Sequence, residues 1–227
     1  RDAFVLRGKS KRELTELSMY LEGKIYIQSL ASMVPPLVLE AQAGERVLDL
    51  TAAPGSKTSQ IAAMMQTQGE LVANDVNKVR FFKLKHNMEQ LGVAVEKDDW
   101  NFTLRLEHGA GLCNEFPEYF DKILLDAPCS AEARFVEGKP KSFGFWKERK
   151  IKEMAYKQRQ LLFAAWNALK PGGTLVYSTC TFAPEENEVQ IPRLLERQDD
   201  LEILPVSIDG LKSLPCITEW KNKTLHE

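Results

Sequence analysis

The sequence predicts an α/β domain with a mostly parallel, three-layer sheet. Three observations carry this. Short apolar strands alternate with helical patterns along the chain. The presumptive strand ends carry glycine, proline and acidic residues, as at Asp49, Asp75 and Asp126. The length of 227 residues is enough for one such domain with a full core. Repeated strand–helix–strand units imply right-handed crossovers with helices on both faces.

The elements follow in order. Residues 1–43 read as an N-terminal helical cap or the remnant of an upstream region, punctuated by Pro35-Pro36, and residues 44–227 as the main domain. Arg46-Val47-Leu48-Asp49-Leu50 is a first strand, followed by a Pro-Gly turn and a helix to about Met65 with Ser56 as its N-cap. Glu70 to Asn74 is a second strand ending at Asp75. A helix from about Lys78 to Leu91 stops at Gly92, and Val93 to Glu96 reads as a third strand ending at Asp98 and Asp99. Asp121 to Leu125 is the fourth. A long helix spans about Ile151 to Leu169, ended by Pro171-Gly172-Gly173. Thr174 to Ser178 is the fifth strand. A helix after Pro184 runs to about Gln198, with a kink expected at Pro192, and Leu201 to Leu204 is a candidate sixth strand.

Composition narrows the class. With 44% hydrophobic and 27% charged residues the chain is not of disordered type. No apolar stretch approaches the length of a membrane span, and no signal-peptide pattern opens the chain. The chain begins at Arg1 without an initiator methionine and is read as part of a longer protein. Its 4 cysteines form no Cys-x-x-Cys pair, which speaks against a zinc site and for a reducing, intracellular, cytoplasmic setting. The net charge of −2 masks an asymmetry. Residues 134–159 hold basic side chains from Arg134 to Arg159 interleaved with Phe135, Phe143, Phe145 and Trp146, whereas Glu185 to Glu202 is acidic.

A cofactor loop follows the first strand: Thr51-Ala52-Ala53-Pro54-Gly55-Ser56-Lys57-Thr58. Small residues let a ligand approach the backbone there. The loop is neither the dinucleotide fingerprint nor the phosphate loop. Asp75, at the next strand end, is placed to accept both hydroxyls of a ribose, and Asp98 to meet an adenine edge. A nucleoside without phosphates fits this set, and S-adenosylmethionine supplies a ribose, an adenine and an amino acid.

Two thiols close the pattern. Cys129 sits in Asp126-Ala127-Pro128-Cys129-Ser130 after the fourth strand, and Cys180 in Ser178-Thr179-Cys180-Thr181 after the fifth. Ligands bind at the carboxyl ends of parallel strands. Cys113 and Cys216 lack such contexts and read as packing residues.

Together with Gln28-Ser29-Leu30-Ala31-Ser32-Met33 and Pro184-Glu185-Glu186-Asn187-Glu188, these motifs resemble those of the RNA cytosine-5 methyltransferases, the Sun-domain family, over roughly Tyr26 to Glu188. The resemblance implies a Rossmann-like class I methyltransferase fold with a seven-stranded type of sheet. It implies methyl transfer from S-adenosylmethionine to carbon 5 of cytosine in structured RNA. By resemblance Cys180 is the nucleophile that adds to carbon 6, Cys129 serves product release, Asp126 holds the cytosine, and Lys57 lies beside the pocket and lowers a thiol pKa. Burial is expected to raise the pKa of Asp126. The cofactor residues are Thr51 to Lys57, Asp75, Asp98 and Asp126. A monomer acting on tRNA, in preference to rRNA, is expected because no extra docking domain is visible, and a non-catalytic RNA-binding scaffold is the competing reading. Thr51 stands where many relatives have Cys, Ala131 and Ala133 replace glycines common in the family, and its sheet-closing C-terminal hairpin is expected to be missing.

Overall fold

The computed structural model describes residues 3–144, 146–198 and 200–225, and at Lys223 only the backbone. Phe145 of the aromatic stretch lies outside the described residues. Two short helices, α1 (Lys11–Thr15) and α2 (Ser18–Leu21), precede α3 (Leu30–Leu39). The sheet domain then runs β1 (Arg46–Asp49), α4 (Ser56–Met64), β2 (Gly69–Asn74), α5 (Lys78–Gln90), β3 (Trp100–Arg105), α6 (Gly109–Asn114), β4 (Phe120–Asp126), α7 (Arg149–Ala168), β5 (Leu169–Ser178) and α8 (Gln190–Leu195). A small hairpin, β6 (Glu219–Trp220) and β7 (Lys223–Thr224), follows.

The five strands are all parallel in the order β3-β2-β1-β4-β5. The order reverses direction at β1, so the crevice above β1 and β4 is the topological switch point where ligands bind. Alternation of side chains along the strands divides the core in two. Val47, Leu71 and Leu124 face α3, α4 and α5, where they meet Leu39, Ile61 and Met88. Leu48, Val72 and Ile123 point the other way, onto Leu112 of α6 and Leu161 and Ala165 of α7. Buried positions on α7, from Met154 and Ala155 through Leu161 and Leu162 to Ala168, recur at helical spacing, which is why this 20-residue segment is an amphipathic helix lying along the sheet. No helix among the described residues is long and apolar enough to cross a membrane.

Several sequence expectations need correction. The third strand is Trp100–Arg105, not Val93 to Glu96. Val93 is used in ending α5: its N–H donates to the Met88 carbonyl (2.9 Å) and its own carbonyl accepts from Trp100 Nε1 (2.8 Å). Asp98 therefore precedes β3, and Asp99 accepts from the N–H of Gly69 at the start of β2 (2.7 Å). Ser56 is the first residue of α4, and Gly55, at φ 104°, is its cap. The segment after Pro184 is a 3₁₀ turn (Pro184–Glu186) followed by the short α8; Pro192 sits in its first turn, where a missing N–H costs no helical bond. Leu201 to Leu204 forms no strand. A C-terminal hairpin does exist, but β6 and β7 pair only with each other, outside the main sheet.

The N-terminal segment docks on α5 through Gly23. At φ 71° this residue packs so closely that an added Cβ would lie 1.9 Å from the Gln90 carbonyl oxygen. Gly23→Ala should add left-handed strain of about 1–2 kcal/mol to that clash and free α1 and α2. Limited proteolysis should then cut before Lys24 faster than in the parent, while the melting temperature of the sheet domain stays nearly unchanged. Equal protease resistance would show that this contact does not hold the segment.

Candidate active site

Parallel pairing of β4 with β5 aligns Leu125 with Tyr177 and Asp126 with Ser178. Both strands thus end at one level, and the loops they feed carry Cys129 and Cys180. The two sulfurs stand 3.1 Å apart. The Ala127 N–H donates to the Ser178 carbonyl (2.8 Å), extending the ladder one step into the first loop, and the Ala133 N–H donates to the Cys180 carbonyl (3.2 Å).

The thiol pair is electrostatically unequal. Either sulfur can carry the proton between them; placed on Cys129, it holds Cys180 below the usual thiol range and Cys129 above it. The guanidinium of Arg134 supports charge on Cys180, while Asp126 opposes it. Two contacts act the other way: the backbone N–H of Cys180 points at Cys129 Sγ (3.3 Å), and the backbone of Ala131 likewise favours charge there. The Arg134 cation and the Cys129 proton together outweigh these amide dipoles, so charge is favoured on Cys180 over Cys129.

Asp126 ends β4 between two fixed partners. Its Oδ2 lies 2.7 Å from Lys57 Nζ, and its Oδ1 accepts from Ser178 Oγ (2.9 Å). Its side chain is 33% exposed, so it is an ion-paired acid at the rim and not the isolated buried acid expected. Lys57 also donates to Ser32 Oγ (3.3 Å), and Thr51 Oγ1 donates to the Asp126 carbonyl (2.8 Å). The lysine is thus committed to Asp126, and the cation acting on Cys180 is Arg134, which the sequence reading assigned only to a basic surface.

The cofactor loop lies over the ends of β1 and β2. The Ala52 N–H donates to the Asn74 carbonyl (2.7 Å) and the Ala53 N–H to Asp75 Oδ2 (3.3 Å). Pro54 is tied through its carbonyl to Asn87 on α5 (2.7 Å). Gly55 approaches α5 closely: a Cβ would lie 2.6 Å from Met88 Cε. Asp75 is 2% exposed and paired with Arg80 (3.3 Å). Among the described residues its Oδ1 accepts from the Asn77 N–H alone (2.9 Å), which leaves lone-pair capacity for a hydroxyl. Small residues, a single acid and a lysine turned away to Asp126 fit a nucleoside diol and give no cradle for a phosphate chain. Asp98 takes no part, since it lies at the amino-terminal edge beside Thr67 and Gln68. The carboxyl end of β3 presents Glu107 and His108 instead, and Glu107 is held by Asn74 through its N–H (3.1 Å) and carbonyl (3.2 Å).

Two residues of the segment Pro184–Glu188 brace the thiol loops, a role the sequence reading did not give them. Glu186 is fully buried and accepts from the Ser130 N–H (3.1 Å) and from Gln158 of α7 (2.7 Å), which also donates to the Pro128 carbonyl (2.9 Å). Asn187 donates to the Thr181 and Ala183 carbonyls and accepts from Thr179 Oγ1 (2.6 Å). Gln158 had a legible signal: it is polar in the apolar stripe of α7. On the long loop, Phe135 packs against Phe143 and Trp146 at ring separations of 5.8 and 5.9 Å, so these aromatics fold the loop upon itself. Arg134, Lys139, Lys141, Lys147 and Arg149 are exposed beside them.

Comparison with known proteins places this arrangement. A family model described as 16S rRNA methyltransferase RsmB/F matches residues 36–223. Ribosomal RNA small subunit methyltransferase F of Serratia proteamaculans (strain 568) is 40% identical over 213 residues, which cover 93% of this chain and 42% of that protein. The protein of the same name from Escherichia coli O7:K1 (strain IAI39 / ExPEC) is 42% identical over 190 residues, covering 82% and 38%. Among solved structures, NSun6 from Pyrococcus horikoshii, determined with SFG, superposes with a TM-score of 0.69 at 37% identity, covering 81% of this chain and 45% of that one. A methyltransferase homolog protein from the same organism gives 0.73 at 36% identity, covering 90% and 60%. The chain spans less than half the length of the curated relatives named. It belongs to the RsmB/F family.

Two outcomes test the electrostatics. With iodoacetamide at neutral pH, Cys180 should be alkylated before Cys129, because only the thiolate reacts; peptide mapping that finds Cys129 modified first would reverse the assignment. Asp49 is 1% exposed, accepts from Thr58 Oγ1 (2.7 Å), and burial pushes its carboxyl up to about 7. A raised folded-state pKa means that the folded chain holds a proton the unfolded chain has released, so stability is lost as pH rises from about 4 through about 7. Thermal melts should show this fall for the parent and a shallower one for Asp49→Asn.

Proposed function

We propose that this chain is the catalytic part of an S-adenosylmethionine-dependent enzyme that methylates carbon 5 of cytosine in structured RNA. The observation that carries the reading is the 3.1 Å pair of electrostatically unequal thiols beside an aspartate at the ends of adjacent strands. Carbon 5 of cytosine is a poor nucleophile until a thiolate adds to carbon 6. Two thiols allow one to make that covalent bond and the other to assist its release. We assign the addition to Cys180, the thiolate of the pair, and release to Cys129, which would give up its own proton to solvent before taking the one on carbon 5, as the Cys180 thiolate is expelled. Asp126 and Lys57 would hold the cytosine edge, the carboxylate accepting from the amino group and the ammonium donating to nitrogen 3.

The residues Thr51 to Lys57 and Asp75 would hold the cofactor, with Asp75 on the ribose; Glu107 and His108 replace Asp98 as the side chains nearest an adenine edge. S-adenosylmethionine would supply the electrophilic methyl group. A relative of this family was determined with SFG, an analogue of that cofactor, which supports the choice.

The substrate we propose is RNA of the small ribosomal subunit, in line with the names of the curated relatives. The expectation of tRNA rested on a missing docking domain, and that absence carries no weight in a chain under half the length of those relatives. Exposed cations from Arg134 to Arg149 would hold backbone phosphates, and the target base would be presented unstacked. The retained thiols and acids argue against a non-catalytic scaffold. A monomer acting inside the cell remains part of the proposal.

Cys180→Ala should abolish methyl incorporation into RNA while leaving the melting temperature within a few degrees. Cys129→Ala should accumulate a protein–RNA adduct that survives a denaturing gel. Methylation by Cys180→Ala, or an adduct with that variant instead, would exchange the two roles.

A further inference from the structure

Beside the thiols lies a second cluster that the proposed chemistry does not use. Ser130 follows Cys129, and Thr181 follows Cys180. Their hydroxyls are 3.0 Å apart and meet two carboxylates. Glu132 accepts from Ser130 Oγ (2.7 and 2.8 Å to its two oxygens), from Thr181 Oγ1, and from Trp146 Nε1 (2.9 Å). Glu186 touches the same Ser130 hydroxyl through Oε1.

Counting protons shows a deficit. Thr181 accepts from the Ala183 N–H (3.1 Å) and gives its one proton to Glu132. Ser130 also has one proton, yet its oxygen contacts carboxylates on both sides. If both acids were ionised, one of those contacts would be oxygen against oxygen with nothing between. The other oxygen of Glu186 already accepts from two N–H groups, the Ser130 backbone and Gln158. One further proton, on Glu186 Oε1 and donated to Ser130 Oγ, satisfies every contact to a carboxylate and leaves only the contact between the two hydroxyl oxygens without a proton. We propose that Glu186 is a neutral acid at rest, a positioning residue that shares a proton through Ser130 with ionised Glu132 and so clamps the two cysteine loops together.

The surroundings agree. Burial pushes the Glu186 carboxyl up despite the bonds from Ser130 and Gln158, with Glu132 adding to the push. Burial opposes ionisation of Glu132 too, but the hydrogen bonds from Thr181 and Ser130 outweigh it and hold that carboxyl below its ordinary value. Two close acids whose environments push them apart share one proton. The groups facing Glu186 are Glu132 on a second 3₁₀ turn (Glu132–Arg134), neutral Gln158 on α7 and, from β5, Tyr177, whose hydroxyl donates to the Glu186 carbonyl (2.6 Å). Among the described residues no cation forms an ion pair with either acid. A second negative charge here would repel the Glu132 carboxylate and loosen the turn that carries Arg134 beside Cys180. The consequence for catalysis rests on the thiol chemistry proposed above; the protonation state does not.

Difference infrared spectroscopy of the purified chain, parent against Glu186→Gln at pH 7, tests it. Loss of a protonated-carboxyl carbonyl band in the variant is expected; loss of a carboxylate band instead would overturn the proposal. Thermal melts across the pH range give a second reading. With its folded-state pKa raised, Glu186 contributes stability at low pH that is lost as pH rises, so the parent should fall more steeply than Glu186→Gln, and parallel curves would count against the proposal. Glutamine keeps a donor for Ser130 and an acceptor for its N–H. Should that variant still fail to fold, the protonated-carboxyl band can be followed by pH titration in an Asp49→Asn background, with and without Glu132→Gln. Removing the neighbouring charge should move its disappearance to lower pH, and an unmoved titration overturns the idea. None of these readings measures methyl transfer, so failure of the thiol chemistry would be a separate result.

Discussion

The parallel pairing of β4 with β5 is the constraint on which the site depends. Its register puts Asp126 opposite Ser178, so the chain leaves both strands at one height. Only from that start can loops of a few residues bring Cys129 and Cys180, 51 positions apart in sequence, into sulfur–sulfur contact. A shift of one residue would turn Asp126 and Ser178 to opposite faces and lose the bond between them. The register is set in turn by apolar residues on both faces, with Leu124 beside Val176 in one core half and Ile123 and Leu125 in the other. Packing far from the chemistry therefore fixes where the chemistry can occur.

A strand end sets a height but not a loop conformation. That is the work of Glu186, Gln158 and Asn187, which tie the segments after β4 and β5 to each other and to α7. Ala131 shows how tightly the first loop is held. It adopts φ 68°, a left-handed conformation that costs a residue with a Cβ about 1–2 kcal/mol. The bond from the Ala133 N–H to the Cys180 carbonyl and the Glu132 bonds on either side offset that cost. Glycine would adopt the turn without strain, but it would also widen what the unfolded loop can do.

Much of this was legible in the sequence, for identifiable reasons. β1, β2, β4 and the second half of β5, Thr174 to Ser178, are apolar runs, as buried parallel strands are; β5 itself begins at Leu169 and takes in Pro171-Gly172-Gly173, which read as a helix stop. The thiol contexts were legible because polar and special residues follow such runs directly. β3 was misplaced because Val93 to Glu96 has strand-like composition, yet Gly92 and the end of α5 consume it; the true strand, Trp100 to Arg105, alternates apolar and polar residues as a half-buried strand should. That one misplacement moved Asp98 to the wrong end of the sheet. Glu186 and Gln158 were not legible as a pair, since only the packing of α7 across the loops brings together residues 28 positions apart.

The division of labour between the two cations follows from the same geometry. A lysine beside a thiol is the simplest way to lower its pKa, and the loop motif offered Lys57 for that role. Lys57, however, faces Asp126 at 2.7 Å, and its side chain is only 14% exposed. Withdrawing it to serve Cys180 would strand a carboxylate at the rim and a cation in the interior. Arg134, on the 3₁₀ turn Glu132–Arg134, forms no ion pair among the described residues. One cation thus organises the aspartate and the other the thiolate. The two functions stay separate as long as Glu132 and Glu186 hold their turn in place, which makes the acid pair as much a part of the electrostatics of the site as the cations themselves.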